Sequence, residues 1–564
     1  MPSIRRDYHL KVIEERLPGM YRFVHQMYGA CTAISFQGMA MINELGVQQG
    51  DPLGPALFCL SIAELTKSLQ SRFNVWYLDD GSLVSDVNAI ISDIQTINSY
   101  SGKIGLKLNS KKCEFFLQGG TFEDQDDARR KLLEVLPGAV EVTEEGLEIL
   151  GAPLSRSGIK KSVETKGRVV EKFCQDLNTL NNAHSEYYLL KSSLGVPRVI
   201  HLMRSSPVHE FPHLLRRFDQ LSQDTLERIL NVKLQDNSFL TASLPVRYGG
   251  LGIRRVSDHA LACYLSSIYA VSKVVELILP TESVCQFNNT KTQIYERFQE
   301  THGPLPANEL SSQHKIDQAL IEKLVSEFPP SESAFVEARK KAISHKMSGR
   351  WLEAIPSLEL GTMLDNNTFR IASALRLGLP FTQPYRCSRC ATTVASTGEH
   401  GLHCLKLPPT QRHDNINGVI SRAMRSIHMP HRLEPERIKP RPDGITLLGW
   451  SHGKQMIWDV TVVSSVCATN VVAAATESGG AAKIAELKKM KKYDALKGEY
   501  IIQPVALESY GCPGPSTEGF LREIGQRLRE ESQDPRAGLF FDQRLSLELQ
   551  RGNVKLILST MERG

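Results

Sequence analysis

Residues 73–85 read FNVWYLDDGSLVS. Val75, Trp76, Tyr77 and Leu78 favour a strand, because β-branched and aromatic side chains suit a pleated surface. Asp80-Gly81 is a hairpin turn signal, and Leu83 and Val84 begin a returning strand. Asp79 and Asp80 are therefore expected at a hairpin tip between apolar flanks. Two adjacent carboxylates repel each other unless a cation lies between them. Magnesium meets that need, since it takes oxygen ligands and bridges phosphates. A two-metal site stabilises both the attacking and the leaving oxygen of an in-line phosphoryl displacement. A solvated turn has the same Asp-Asp-Gly sequence, so the neighbourhood decides.

Upstream, residues 46–55 read GVQQGDPLGP. Gly46 and Gly50 permit a tight backbone. Asp51 is placed to cap a helix whose first turn holds Pro52 and Pro55, with Leu53, Ala56, Leu57, Leu60 and Ala63 on one side. A Gly-Asp-Pro helix entry followed by a Tyr-x-Asp-Asp hairpin resembles the palm of a reverse transcriptase. Gly46 to Pro55 would be motif B, and Tyr77 to Asp80 motif C. GLKLNSKKCE at 105–114 is similar to motif D of non-LTR retrotransposon polymerases, and LGAPL at 150–154 to the primer-grip motif E. The resemblance implies that Asp79 binds Mg2+ with Asp80 in support, and that Gln49 and Gly50 line the nucleotide and template site. Lys111 or Lys112 would lie near the leaving pyrophosphate, or else on a solvated turn. In the family a further metal-binding aspartate, in motif A, precedes a segment resembling Ser3-Ile4-Arg5-Arg6-Asp7. The expectation is a partial palm (motifs B to E, without motif A and fingers), a structural Asp7, and a chain that alone is a defective polymerase.

A second constellation lies at 385–415, YRCSRCATTVASTGEHGLHCLKLPPTQRHDN. Cys387 and Cys390 form C-x2-C, and His400 and Cys404 form H-x3-C. Zinc takes four such ligands in a tetrahedron, and short-spaced pairs bring two to one side. A loop this small builds no core, so Zn2+ would supply its folding energy. Cys387, Cys390, His400 and Cys404 are the expected ligands, with His403 and His413 as rivals. Four protein ligands leave no open position for water, which makes the site structural.

A third lies at 441–463, RPDGITLLGWSHGKQMIWDVTVV. Ile445 to Leu448 suggests a strand, Ser451 to Lys454 a turn and Met456 to Val463 the return. Asp443 lies at the open end of this hairpin. Asp459 sits among Ile457, Trp458, Val460 and Val462, where an unsatisfied carboxylate is costly; a metal would satisfy it. In the helix expected at 479–500, Glu486, Lys489 and Tyr493 share a face, with Lys492 at its edge. A lysine near metal-bound carboxylates can orient or polarise an attacking water. Knuckle, Arg412-His413, Pro442-Asp443, Asp459, and Lys489 with Lys492-Tyr493 occur in the order seen in the restriction-like endonuclease of early-branching non-LTR retrotransposons. The strand departs from the wider PD-(D/E)xK pattern, with Thr461 two residues after Asp459. Lys489, with Lys492 second, would be the relocated lysine.

SSLGVPRVIHLMRSSP, within 185–217, resembles the thumb of these polymerases, so Lys191, Arg198 and Arg204 are expected on a template–primer backbone. Between 411 and 442 seven Arg or Lys face three Asp or Glu. That excess suits phosphate tracking by Arg412 and His413 or a solvated helix face. For LPVRYGGLGIR at 244–254, also familiar from these elements, only a Gly-rich turn against a packed helix is evident.

The expected fold class is multidomain α+β and α/β. A partial palm would span 1–156 and a helical thumb 157–300. A helical linker at 301–380 would contain Pro304, Pro306, Pro329 and Pro330. The zinc knuckle follows at 381–415, a PD-(D/E)xK domain at 416–530, and an amphipathic C-terminal helix with Leu545, Leu547, Leu549 and Val554 at 531–564. The 564 residues, 41% hydrophobic and 23% charged, exclude wholesale disorder. No apolar run approaches the ~18–20 residues that cross a bilayer, so no membrane partner is expected. A net charge of +5 is too small to prove a nucleic-acid partner. Eleven cysteines argue against a disulfide framework, and the eight isolated ones are expected to be mostly buried. The resemblance implies an element RNA template, a DNA target that supplies the primer, deoxynucleotides if the polymerase is competent, and a nuclear location.

Overall fold

The computed structural model describes residues 4–327, 333–408 and 410–561. Ser3, the linker prolines Pro329 and Pro330, and Pro409 lie outside them. The fold is α+β, in two compact units, Met1–Lys161 and Ser162–Gly564.

The first unit opens with α1 (Arg6–Arg16), α2 (Pro18–Tyr28) and the hairpin β1 (Thr32–Phe36), β2 (Met39–Asn43). α3 (Gly54–Ser68) leads into the hairpin β3 (Phe73–Tyr77), β4 (Asp80–Val84), then α4 (Val87–Ile104). β5 (Glu114–Phe115), α5 (Phe122–Val135), β6 (Val140–Glu141), β7 (Glu148–Ile149) and β8 (Ala152–Pro153) complete it. α3 begins two residues later than expected, and Asp51 caps the turn before it, accepting from the Leu53 amide at 2.9 Å. Its buried side is Leu57, Phe58, Ser61, Ile62 and Leu65, while Ala56 is exposed. The face shifts because α3 feeds two clusters, Leu57 with Ile13, Val24 and Tyr28, and Phe58 and Ile62 with Ile4 and Ile104.

The division falls within α6 (Arg156–Asp176). Among the described residues nine helices follow before the Cys/His segment: α7 (Ala183–Leu189), α8 (Val196–Ser205), α9 (Pro212–Leu230), α10 (Asp236–Ser243), α11 (Val256–Ile278), α12 (Thr281–His302), α13 (Gln313–Ser326), α14 (Ala334–Ile343) and α15 (Asn366–Leu377). By length and composition α11 could cross a membrane, against the expectation from the sequence. The scattered polar groups of this helix hid that property; its Ala262, Leu265 and Ile268 pack against Ile294, Phe298, Ile316 and Leu320.

The 244–254 stretch has a physical account. Arg376, fully buried on α15, donates to the carbonyls of Val246 (2.5 Å), Gly250 (3.1 Å), Ile343 (3.1 Å) and Ser348 (3.2 Å). A Cβ on Gly250 would stand 2.0 Å from the Leu244 carbonyl oxygen, so the chain closes around the guanidinium only with glycine there.

The rest runs β9 (Tyr385–Arg386), β10 (Thr393–Val394), α16 (Thr410–Ser426), β11 (His431–Leu433), β12 (Gly444–Thr446), β13 (Met456–Val463), α17 (Val471–Thr476), α18 (Gly480–Lys492), β14 (Ile501–Glu508), α19 (Pro515–Ser532) and α20 (Ala537–Leu558). The last four strands form one sheet, β11-β12-β13-β14, antiparallel except for the parallel pair β13–β14. A parallel pair needs a crossover, and α17 and α18 provide it. α16, α19 and α20 cover one face through Ile416, Ile420, Met424, Phe520, Ile524, Leu545 and Leu549. β12 stops at Thr446, whose hydroxyl turns back to the Leu448 carbonyl, so Leu447 and Leu448 lie exposed beyond the strand. α18 ends at Lys492, short of the expected 500. Of the eight isolated cysteines only Cys174, Cys263 and Cys512 are buried; Cys31, Cys59 and Cys285 are exposed. Cys59 lies on the solvent side of α3, and smallness alone does not draw a thiol inward.

Candidate functional site

The β3–β4 hairpin turns at Leu78-Asp79, two residues before the expected Asp80-Gly81. Tyr77 pairs with Asp80, and Leu78 has φ +58°. Gly81 instead lies opposite Trp76, and a Cβ there would stand 2.8 Å from the indole. Asp79 and Asp80 are exposed at the tip. Among the described residues no third Cys, His, Asp or Glu groups with them as a metal site. Gln49 and Gly50 are exposed on the loop before α3, with Gly50 at φ +92°. Tyr28 holds that loop, donating to the Asp51 carboxylate and accepting from the Gln48 amide. Arg6 reaches the Gly46 carbonyl beneath it at 3.2 Å. Asp7 is exposed and paired with Arg5, and Lys111 and Lys112 are exposed on a short turn.

Cys387, Cys390, His400 and Cys404 converge. Their ligand atoms all lie within 4.8 Å of one another. Cys387 Sγ is 3.9 Å from Cys404 Sγ, and Cys390 Sγ 3.1 Å from His400 Nε2. A zinc tetrahedron with bonds of about 2.3 Å has edges of about 3.8 Å, so the donor set and its size fit Zn2+. His403 lies edge-on to His400, with Nδ1 buried and outside the cluster.

On the four-stranded sheet, Asp443 lies one residue before β12, its amide donating to the Trp458 carbonyl at 3.0 Å, which sets it beside Asp459 of β13. Asp443 Oδ2 accepts from the Val460 amide (2.6 Å) and faces His413 Nε2 (2.8 Å). Asp459 is only 4% exposed. Its Oδ1 accepts from Lys489 Nζ (2.5 Å), and its Oδ2 from Lys492 Nζ (2.8 Å) and the Tyr493 hydroxyl. Burial pushes the Asp459 carboxyl up, but the hydrogen bonds from Lys489, Lys492 and Tyr493 outweigh it and hold the group below its ordinary value. Burial and then Asp459 push the Tyr493 phenol up. The Asp443 hydrogen bond leads the causes that raise His413 to about 9. Two carboxylates suit Mg2+, which accepts one or two and fills its octahedron with water and phosphate oxygens. Bound there, it would compete with Lys489 and Lys492 for Asp459.

Other residues sit differently from expectation. His413 lies at the carboxylates. Arg412 is buried, donates to Asn553 Oδ1 at 2.9 Å, and is lowered to about 10 by that burial. The Lys191 ammonium turns inward, toward the Leu352 carbonyl (3.3 Å) and over the Tyr187 ring. Arg198 stays exposed over Phe173, and Arg204 is exposed on Gln313. Glu486 is buried and caps α19, accepting from the Thr517 amide (2.7 Å) and hydroxyl (2.6 Å) and the Ser516 amide (3.1 Å). Tyr493, a face neighbour of Glu486 and Lys489 and half of the Lys492-Tyr493 pair in the resemblance, donates its hydroxyl to Asp459.

Residues 3–154 match the family described as reverse transcriptase (RNA-dependent DNA polymerase). The chain is 23% identical over 257 residues to the retrotransposable element SLACS 132 kDa protein of Trypanosoma brucei gambiense, covering 43% of this chain and 21% of that protein. It is 26% identical over 242 residues to the retrovirus-related Pol polyprotein from type-1 retrotransposable element R2 of Popillia japonica, covering 39% and 38%. The R2 polyprotein of Bradysia coprophila is 30% identical over 111 residues, covering 17% and 13%. The chain thus spans about a fifth to two fifths of the length of the first two relatives.

Proposed function

We propose that this chain, which belongs to the non-LTR retrotransposon reverse transcriptases, joins its reverse-transcriptase domain to a magnesium-dependent DNA endonuclease whose active residues are Asp443, Asp459, Lys489 and Lys492. The observation that carries the reading is the buried Asp459 held between two lysines beside Asp443. The order of α16 to β14, α–β–β–β–α–α–β with both crossover helices between the parallel strands, supports a restriction-like domain. Mg2+, when bound, would polarise the scissile phosphate and lower the pKa of its attacking water. Asp443 and Asp459 would hold it. The Val460 amide fixes Asp443, and Tyr493 fixes Asp459. Lys489 and Lys492 are positioned to turn from Asp459 to the phosphate as it arrives. Zn2+ at Cys387, Cys390, His400 and Cys404 is structural.

The wider reading is that the element nicks a DNA target in the nucleus and copies its RNA from the new 3′-hydroxyl with deoxynucleotides. Asp79 and Asp80 would hold Mg2+, and Gln49 and Gly50 would line the nucleotide site. A second reading is an endonuclease beside an inactive polymerase scaffold: Asp459 is buried and held by Lys489 and Lys492, whereas Asp79 and Asp80 stand exposed at their hairpin tip. Primer extension on an RNA template separates the two.

Nicking of supercoiled DNA with magnesium tests the endonuclease, with Asp443→Ala/Asp459→Ala as control. Nicking that the double variant abolishes supports it. Intact DNA after incubation with folded, zinc-loaded wild type refutes it, and leaves a chain that binds nucleic acid without cutting.

A further inference from the structure

The Cys/His cluster and the two-carboxylate site are joined through the second unit by a line of hydrogen bonds that is buried from Tyr510 to Arg412. Glu399, next to His400, is buried; its Oε2 accepts from Thr397 Oγ1 (3.1 Å) and its Oε1 from the Tyr510 hydroxyl (2.7 Å). The carbonyl of Ser509, one residue back, accepts from Asn553 Nδ2 (2.6 Å), and Asn553 Oδ1 accepts from Arg412 Nη1 (2.9 Å). The next residue is His413, which meets Asp443 at 2.8 Å. Asn553 is 1% exposed, and Glu399, Tyr510, Ser509 and Arg412 are buried with it. None of these groups can exchange a lost partner for water, so a displacement at one end is felt along the line.

Close packing backs the same route. A Cβ on Gly401 would lie 2.6 Å from Ile557 Cα, and one on Gly552 2.5 Å from Arg412 Cγ. The Thr560 carbonyl accepts from the Ser388 amide (2.9 Å), and the Tyr385 and Thr560 hydroxyls meet at 2.6 Å. α20 is gripped by the cluster at its C-terminal end and by α16 at Gly552 and Asn553.

We propose that the zinc-loaded cluster is a positioning device for the carboxylate site, with Glu399, Tyr510, Asn553 and Arg412 as the positioning residues that seat His413 on Asp443. Zinc supplies folding energy to a loop with little core of its own, and α20 carries that rigidity to α16. The consequence for cleavage rests on the endonuclease reading above; the coupling itself does not.

Hydrogen exchange on the full chain tests it, comparing zinc-loaded protein, protein stripped by a chelator, and zinc-loaded Glu399→Gln and Asn553→Ala, with bound zinc measured in each. Stripping zinc raises exchange in 410–418 and 441–463 by about tenfold or more, while 281–300 is unchanged. Asn553→Ala does the same with zinc still bound, and lowers kcat for nicking by about tenfold at unchanged KM, as misplaced reacting groups do. Exchange at 441–463 that ignores both zinc loss and Asn553→Ala overturns the proposal. Exchange that responds in a wild type that does not nick keeps the coupling and removes the endonuclease reading.

Discussion

The pairing of His413 with Asp443 sets a pH dependence that can be worked out and measured. The imidazole rises from its ordinary value of about 6.5 to about 9, chiefly through the Asp443 hydrogen bond, with Asp414 adding to it. At about 1.36 kcal/mol per unit, that rise corresponds to about 3.4 kcal/mol in favour of the folded, protonated state. The side chain is 29% exposed, so solvent screening reduces this to about 2 kcal/mol. A raised folded-state pKa contributes in full below the unfolded value and is lost as pH climbs through the folded one. Without added magnesium, wild type should therefore exceed His413→Asn by about 2 kcal/mol at pH 6 and lose that advantage between pH 7 and about pH 10. Urea denaturation of the second unit at a series of pH values measures the gap, and Asp443→Asn should remove most of its pH dependence and leave the smaller share due to Asp414. A gap that stays constant from pH 6 to pH 10, or a His413 that titrates near 6.5 by histidine-selective NMR, would refute the assignment.

Three further outcomes follow from particular contacts. Arg376→Met leaves four buried carbonyls without their donor and should cost about 3–5 kcal/mol, read from urea unfolding followed by the fluorescence of the buried Trp351. Glu486→Gln removes the charge that caps α19 and should cost about 1–2 kcal/mol, yet reduce nicking far less than Asp459→Ala; equal loss in both would place Glu486 in the chemistry. Lys191→Ala should leave the salt dependence of nucleic-acid binding unchanged, because its ammonium faces inward, whereas each of Arg198→Ala and Arg204→Ala should lower the slope by about one if it contacts a phosphate.

The features legible in the sequence were those whose physics is local. The four Cys/His positions span eighteen residues, counting from Cys387 to Cys404, so spacing alone brings them near one another. Asp459 was visible because one charge stands inside an apolar strand. Other features depend on partners far along the chain. Glu486 reads as a lysine-helix neighbour until α19 arrives above it, and Arg412 as a phosphate contact until Asn553, 141 residues on, takes its guanidinium. The turn at Leu78-Asp79 could not be placed because Gly81 is required by the Trp76 ring rather than by the turn. Leu545, Leu547 and Leu549 cannot share one helical stripe. All three are buried because α16, α19 and the segment before α15 surround α20, and a helix enclosed on several sides shows little amphipathic pattern.

The place of α20 also dictates an order of assembly during synthesis. The core under the four-stranded sheet cannot close until α20 is made, because Leu545 and Leu549 fill it and Asn553 receives Arg412. At about 5–20 residues per second, the ribosome takes on the order of 7–28 s to travel from Arg412 to Asn553. The Cys/His loop is made before that interval, and its four ligand positions fall within eighteen residues of one another. Whatever metal these four ligands take can therefore load first, leaving a preformed dock that waits for the helix to be translated.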